Sequence, residues 1–333
     1  MSFSDIIGQE RSVSILRSAL RGGNVSHAYL FSGPEGIGKR LVALNFAKAL
    51  NCLSLNDDAC GKCIPCKKFD NENFPDFLRV EPVEGSIKIE LIRELRKKIS
   101  FRPYEGKFKV VFIYKVEDMT SGAANSFLKT LEEPTEATVF ILVSHNFNLL
   151  LPTIISRCQI IQFHLIPLEI IKNKLINDFQ IAPENARLIS SYSQGSLGKA
   201  LEMDVSDVQE KRHEILAFLN KISFKEIDLV FKKSKEWSND SRRVETILQT
   251  TLNLIRDMAI LKITGKEKFI TNLDVKDKLM SLSNSLNLKQ LLELFNTVEE
   301  TIRYFKRNIN IQLLLDLLFI KICNVLERRA YGR

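Results

Sequence analysis

No stretch of this 333-residue chain offers 18 unbroken apolar residues, which argues against a membrane-spanning helix. The N-terminus "MSFSDIIGQERSV" has neither the basic leader nor the apolar core of a secretory signal, so the expected location is the cytoplasm. Internal repeats and low-complexity linkers are missing too. Tryptophan occurs once, at Trp237. The four histidines, His27, His145, His164 and His213, share no ligand spacing, and packing or surface roles are assigned to all of them. A strong charge of one sign is also lacking. The 48 basic and 40 acidic residues leave +8, a mild bias that tolerates nucleic acid nearby without indicating it.

What is present is a globular composition, 45% hydrophobic, at a length that suits two or three domains. Residues 1–165 read as α/β. "HAYLFSG" (His27–Gly33) is a short apolar run that ends in glycine, a buried strand feeding a loop. Further strands are expected at Phe77–Pro82, Lys109–Val116, Thr138–Ser144 and Gln159–His164. Helical spacing lies between them, at Leu41–Leu50, Ile87–Ser100 and Ser121–Glu133. Strands alternating with helices imply a mostly parallel, covered sheet. Residues 166–205 read as a small helical unit. Leu168–Phe179 is amphipathic, and Ala182–Met203 splits into two helices at Gly195. From 206 to 333 the pattern is all helical, with stretches at Val244–Ile263 and Leu288–Arg329, the second breaking near Asn308–Asn310.

The strand at His27–Gly33 runs into "GPEGIGKR", nearly the phosphate-binding pattern G-x-x-x-x-G-K-[ST]. In a working loop the backbone N–H groups cradle phosphates at a helix N-terminus. Lysine reaches the β and γ phosphates, and Ser or Thr binds Mg²⁺. Gly33, Gly36, Gly38 and Lys39 fit that pattern. Arg40 stands in the hydroxyl position, and a guanidinium, a cation with donors only, cannot bind Mg²⁺. A P-loop ATPase also needs a carboxylate at the end of a later apolar strand. In "KVVFIYKVEDMT" that place holds Tyr114 and Lys115, while Glu117 and Asp118 fall in the following turn. Both losses touch Mg²⁺ and water handling, which argues against hydrolysis here. A shifted register that recruits Glu117 is the alternative.

Four of the six cysteines cluster, with the spacing Cys52-x₇-Cys60-x₂-Cys63-x₂-Cys66. Four thiolates at short spacing suit tetrahedral Zn²⁺ and leave no open position, so the expected metal is structural. Free thiols or a redox pair are the other readings. The segment "KIELIRELRKKISFRPYEGKFK" (Lys88–Lys109) holds eight basic and three acidic residues. It could face DNA phosphates through Arg96, Lys97 and Lys98, or be a solvated helix face.

"HAYLFSGPEGIGKR", the four-cysteine insertion, "FLKTLEEP" (Phe127–Pro134) and "ISRCQ" (Ile155–Gln159), in this order, resemble the bacterial DNA polymerase III clamp-loader subunits of the AAA+ superfamily. The likeness covers residues 1 to about 205, and beyond that it rests on helical pattern only. It implies an α/β AAA+ P-loop domain over 1–165 with a zinc-binding insertion at about 52–66. A helical lid over 166–205 and an all-α collar over 206–333 would follow, some of whose surplus apolar surface other subunits would cover. Motor subunits of the family, gamma and tau, carry an intact P-loop, a D-E pair and a sensor arginine on the lid. Here Gly198 stands where that arginine is expected, with Lys199 beside it. Ser144 keeps a small polar group at the first sensor position. What is retained is Ser156, Arg157 and Cys158, the "SRC" motif.

That pattern resembles the delta-prime branch, which presents an arginine to a neighbour's ATP without hydrolysing ATP itself. The resemblance implies that Arg157 acts in trans and that the chain has no ATPase activity of its own within the DNA polymerase III holoenzyme. It casts doubt on ATP or ADP binding in the chain's own loop. It implies as partners the gamma/tau and delta subunits, the beta sliding clamp and primer–template DNA, and no membrane. Cys158 reads as a small buried residue, and Glu132 and Glu133 as a helix end before Pro134. Two other readings stay open. One is an active gamma/tau-like motor that tolerates Arg40 and recruits Glu117. The other is a free-standing zinc and DNA-binding module, which the modest charge disfavours.

Overall fold

The computed structural model describes residues 2–327 apart from Leu55, Asn56, Glu136, Lys306 and Asn308. The chain divides into two compact units. One holds the residues up to Lys174 together with Ser193–Leu201; the other holds Leu175–Tyr192 and the residues from Glu202 on.

In the first unit the elements run α1 (Glu10–Gly22), β1 (Ala28–Ser32), α2 (Lys39–Leu50), α3 (Ile64–Asp70), β2 (Phe77–Val80) and α4 (Ile89–Ile99). They continue with β3 (Lys109–Tyr114), α5 (Ser121–Glu132), β4 (Thr138–Ser144), α6 (Pro152–Ile155) and β5 (Gln159–Gln162). The five strands form one sheet in the order β2-β3-β4-β1-β5, every pairing parallel. This is the mostly parallel α/β arrangement expected from the alternation of strands and helices. Every residue of β1 and β4 is buried, so both read as continuous apolar runs instead of an alternation. Within each strand the period of two still sorts the faces. Tyr29, Phe31, Phe112 and Ile141 pack into a core with Phe46 of α2. Ala28, Leu30, Ile113 and Leu142 pack into another with Leu95 of α4 and Phe127 of α5.

Helix ends follow local chemistry. Thr120 caps α5 by accepting the Ala123 N–H at 3.3 Å, and the helix stops before Pro134, which disfavours helical backbone in the residue preceding it. On α4 the apolar Ile92, Leu95 and Ile99 turn inward, leaving Arg96, Lys97 and Lys98 exposed. Lys109, counted in the same basic stretch, instead starts β3 and is buried. Its ammonium donates to the carbonyl oxygens of Lys98 (2.9 Å) and Phe101 (2.7 Å).

Further along are α7 (Leu168–Phe179), α8 (Pro183–Tyr192) and α9 (Leu197–Glu202), the last two separated at Gly195, whose φ is 82°. The remaining helices are α10 (Val205–Lys221), α11 (Ile227–Trp237), α12 (Ser241–Thr264), α13 (Lys276–Asn284), α14 (Leu288–Phe305) and α15 (Ile311–Glu327). The expected break near Asn308–Asn310 falls between the last two, though Asn308 itself lies outside the described residues. In the second unit, Trp237 is fully buried against Phe218 and Phe319, with ring centroids 5.0 and 5.7 Å away. Two buried charges tie its helices to the loop around Asn272. Arg212 forks onto Asp274, while Asp257 accepts the backbone N–H groups of Thr271 (2.9 Å) and Asn272 (2.8 Å). Each buried charge is therefore hydrogen-bonded, as its desolvation requires.

Candidate functional site

Parallel pairing gathers the C-terminal ends of β1, β3 and β4 along one edge of the sheet: Ser32 is level with Ser144, and Tyr114 with Val143. This is where open α/β sheets bind ligands. The P-loop leaves β1 there, the turn Val116–Asp118 leaves β3, and His145 leaves β4. A cavity of about 470 Å³ opens beside the loop. Its walls are largely apolar, from Ile6, Ile7, Leu41, Leu44, Ile166 and Leu201, with Lys39 and His145 among the polar lining.

Lys39 starts α2 and is buried. Its ammonium donates to the carbonyl oxygens of Gly33 and Pro34, so the loop's own backbone occupies it. Burial lowers its pKa to about 8, opposed by the nearby Glu117 and Glu35. Arg40 lies 2.9 Å from Glu81 and its guanidinium sits 5.3 Å from the ring centre of Tyr114. The cation at the hydroxyl position thus stacks on the phenol at the carboxylate position. Lys115 reaches Glu35 of the loop at 3.5 Å, and His145 Nδ1 lies 3.6 Å from the same carboxylate. Burial, with Lys39 nearby, holds the His145 pKa below its usual value.

His145 is a site residue that the sequence reading placed in packing or surface roles. No spacing signal marks it, because it reaches the loop through the register of β4 against β1. Glu117 lies in the turn, as expected. Its Oε1 accepts the His145 N–H at 2.8 Å, and its Oε2 is buried without a hydrogen-bond partner among the described residues.

Gly198 touches the P-loop directly. Its N–H donates to the Gly36 carbonyl oxygen at 2.8 Å. A Cβ on Gly198 would come within 3.0 Å of Gly36 Cα and O, and one on Gly36 within 2.2 Å of Ser196 Oγ. Gly36 has φ 74°, so glycine is required there on both counts. At position 198 the chain therefore packs backbone against backbone.

Arg157 does not line this cavity. It follows α6, two residues before Gln159, which pairs with Tyr29 near the start of β1. It therefore lies at the N-terminal edge of the sheet, while the P-loop leaves the C-terminal edge, ~20 Å away at the strand rise of ~3.3 Å per residue. Its Nη2 lies 2.7 Å from Glu132 Oε1, and its Nη1 donates to the Thr153 carbonyl at 3.0 Å. The side chain stays about one-third exposed, at 34%. Ser156 Oγ donates to the Thr153 carbonyl at 3.1 Å. Cys158 is half-buried, and burial pushes its thiol pKa up to about 12, which makes it no nucleophile.

The sulfurs of Cys52, Cys60, Cys63 and Cys66 all lie within 4.8 Å of one another. Two of the pairs, Cys60–Cys66 and Cys52–Cys63, are 4.0 Å apart, too long for a disulfide and close to the ~3.8 Å edge of a tetrahedron with 2.3 Å Zn–S bonds. The backbone N–H of Cys63 points to Cys60 Sγ at 3.4 Å, and that of Cys60 to Cys52 Sγ at 3.3 Å. Hydrogen bonds, led by that from Ser54, pull the Cys60 pKa down to about 5, while burial pushes that of Cys66 well up. The cluster can therefore hold a metal ion. These four residues fit zinc, whose contribution would be structural.

A family described as "DNA polymerase III, delta subunit" matches residues 8–167, and "DNA polymerase III, delta subunit, C terminal" matches 206–322. Subunit delta' of Bacillus subtilis is 29% identical over 321 residues, covering 94% of this chain and 96% of that protein. Subunit tau of the same organism is 28% identical over 352 residues, covering 98% of this chain and 62% of that one. Subunit gamma of Buchnera aphidicola subsp. Baizongia pistaciae is 30% identical over 320 residues, covering 89% and 84%. The chain thus spans less than two thirds of the tau protein but nearly all of the delta' protein. With this P-loop fold and matches along most of its length, the chain belongs to the DNA polymerase III clamp-loader family of delta-prime and gamma/tau subunits.

Proposed function

We propose that this chain is the delta-prime type of clamp-loader subunit, which donates Arg157 to the ATP site of a neighbouring gamma/tau motor and hydrolyses none itself. One observation carries this: the retained arginine and the chain's own P-loop lie at opposite edges of the sheet. Arg157 cannot serve its own loop, but it can reach outward. A guanidinium offered to a γ-phosphoryl group stabilises charge that grows in the transition state, and it needs no nucleotide in its own subunit. The P-loop supports the same reading. Arg40, Tyr114 and Lys115 occupy the positions that should hold Mg²⁺ and water, and each is engaged elsewhere.

On this proposal the partners are gamma/tau and delta subunits, the sliding clamp and primer–template DNA. Residues 1–165 form the AAA+ domain, 166–205 the lid and 206–333 the collar. The cysteine cluster holds structural zinc, and Arg96, Lys97 and Lys98 face DNA phosphates. The decisive experiment is reconstitution with gamma and delta subunits, comparing wild type with Arg157→Ala. A trans arginine is worth roughly 10³–10⁵ in turnover at its site. Intact DNA-stimulated hydrolysis and clamp loading in Arg157→Ala would reject the proposal.

The second reading, an active motor, draws on the free oxygen of Glu117 and its electrostatic pull on Lys39. It requires Mg²⁺-dependent turnover by the chain alone, abolished by both Glu117→Gln and Lys39→Ala.

A further inference from the structure

The cysteine loop carries two aspartates, Asp57 and Asp58, each with partners outside it. Asp58 Oδ2 accepts the backbone N–H of Phe3 at 2.9 Å and lies 3.3 Å from Arg17 Nη2 of α1. Its Oδ1 accepts the N–H of Ala59, next to Cys60, at 2.7 Å. Asp57 pairs with Arg21 and, at 3.8 Å, with Arg17. Phe3 itself is buried in the same core as Cys52, Ala59 and Cys66, with the Arg17 guanidinium 5.8 Å from its ring centre. From Phe3 the chain makes one short turn, Phe3–Asp5, and the next residues form a wall of the P-loop cavity: Asp5, Ile6 and Ile7 all line it.

We infer that the metal-bound cysteine loop positions this N-terminal wall of the P-loop cavity, with Asp58 as the positioning residue. The inference rests on the zinc reading of the cluster and adds a role to it. Among the described residues between the end of α2 and the start of α3 no helix or strand is formed, so no backbone ladder there fixes Asp58. Four metal–sulfur bonds would fix it. A carboxylate held in place then accepts a charge-assisted hydrogen bond from the Phe3 amide, which is stronger than a neutral one. Phe3 is locked into the core, and the two isoleucines that follow are held against the cavity. Loss of the metal frees the loop, then Asp58, then the wall. On the other flank the Asn45 side chain of α2 donates to the Ser2 carbonyl oxygen at 3.2 Å.

Hydrogen exchange read by mass spectrometry on the full chain tests this, with zinc content measured in parallel. Removing zinc with a mercurial and chelator is expected to speed exchange in the peptide spanning residues 2–7 by roughly tenfold or more, as loss of a hydrogen bond to a charged group implies. Strand β1 should stay protected. Asp58→Ala, with its zinc retained, is expected to reproduce the acceleration. Asp58→Asn, which keeps an acceptor, should largely restore protection, and Asp57→Ala, which loses only arginine pairs, should change little. Unchanged exchange at 2–7 in zinc-loaded Asp58→Ala overturns the assignment of Asp58. Full zinc content with no change at 2–7 after its removal overturns the coupling while leaving the zinc reading intact. Zinc absent from carefully prepared wild type overturns both.

Discussion

Replacing Gly198 by alanine sets two known effects against each other. Alanine is better than glycine inside a helix by about 0.8–1 kcal/mol, and Gly198 is the second residue of α9. That term alone makes Gly198→Ala stabilising. Against it stands the new Cβ, 3.0 Å from both Cα and O of Gly36. Both are backbone atoms, so no side chain can rotate away, and Gly36 is itself confined by Ser196. Forcing a methyl group into such a contact costs about 1–3 kcal/mol, and it weakens the hydrogen bond from Gly198 to Gly36, worth about 1 kcal/mol. The expected balance is a net loss of about 1–3 kcal/mol, or several degrees in the unfolding temperature of a unit this size at ~2–4 °C per kcal/mol. Differential scanning fluorimetry on wild type and Gly198→Ala measures it. Stabilisation by the helix-propensity increment would refute the reasoning. It would mean that the close approach of α9 to the P-loop is not what keeps glycine at 198.

Other expectations follow from the same geometry. Lys39 titrates at about 8 in the folded chain against 10.5 when free. Between those pH values the unfolded chain binds more protons, so this lysine makes stability rise with pH. The rise is on the order of 3 kcal/mol and should vanish from denaturant unfolding of Lys39→Met. A rise of equal size in that variant would contradict the burial of Lys39. Glu132→Ala releases Arg157 from a half-exposed pair worth about 0.2–1 kcal/mol, so it should raise loader ATPase by no more than roughly 5-fold. A drop like that of Arg157→Ala would show instead that Glu132 aims the arginine. Charge reversal of Arg96, Lys97 and Lys98 together should flatten the salt dependence of DNA binding by the assembled loader, by about 0.9 per lost phosphate contact. An unchanged slope would make this a solvated helix face.

The fold was legible because its signals are local. β1 and β4 are apolar runs bounded by turn residues, and the boundaries of α5 and α7 follow from Thr120, Pro134 and Pro167. The four cysteines announced themselves by spacing. The wiring of the P-loop was not legible. Arg40 finds Glu81 and Tyr114 only after three strands align in register, and residues 40, 81 and 114 carry no mutual signal along the chain. The same holds for Glu132 with Arg157, and for His145, which looks like an ordinary surface histidine until β4 sets it beside Glu35. Lys109 misled for the opposite reason: its charge suggests an outward face, while two backbone carbonyls hold it inside.

A parallel sheet has a direction, and on the proposed function that direction separates what the chain would receive from what it would give. With the P-loop at one edge and Arg157 at the other, any contact that uses both edges is head-to-tail, never face-to-self. Identical copies joined in this way would extend without limit or close into a ring in which every pocket fires. A member whose giving edge is intact and whose receiving edge is silent ends such a row. The number of working sites in the assembly would then be set by where this chain stands in the row.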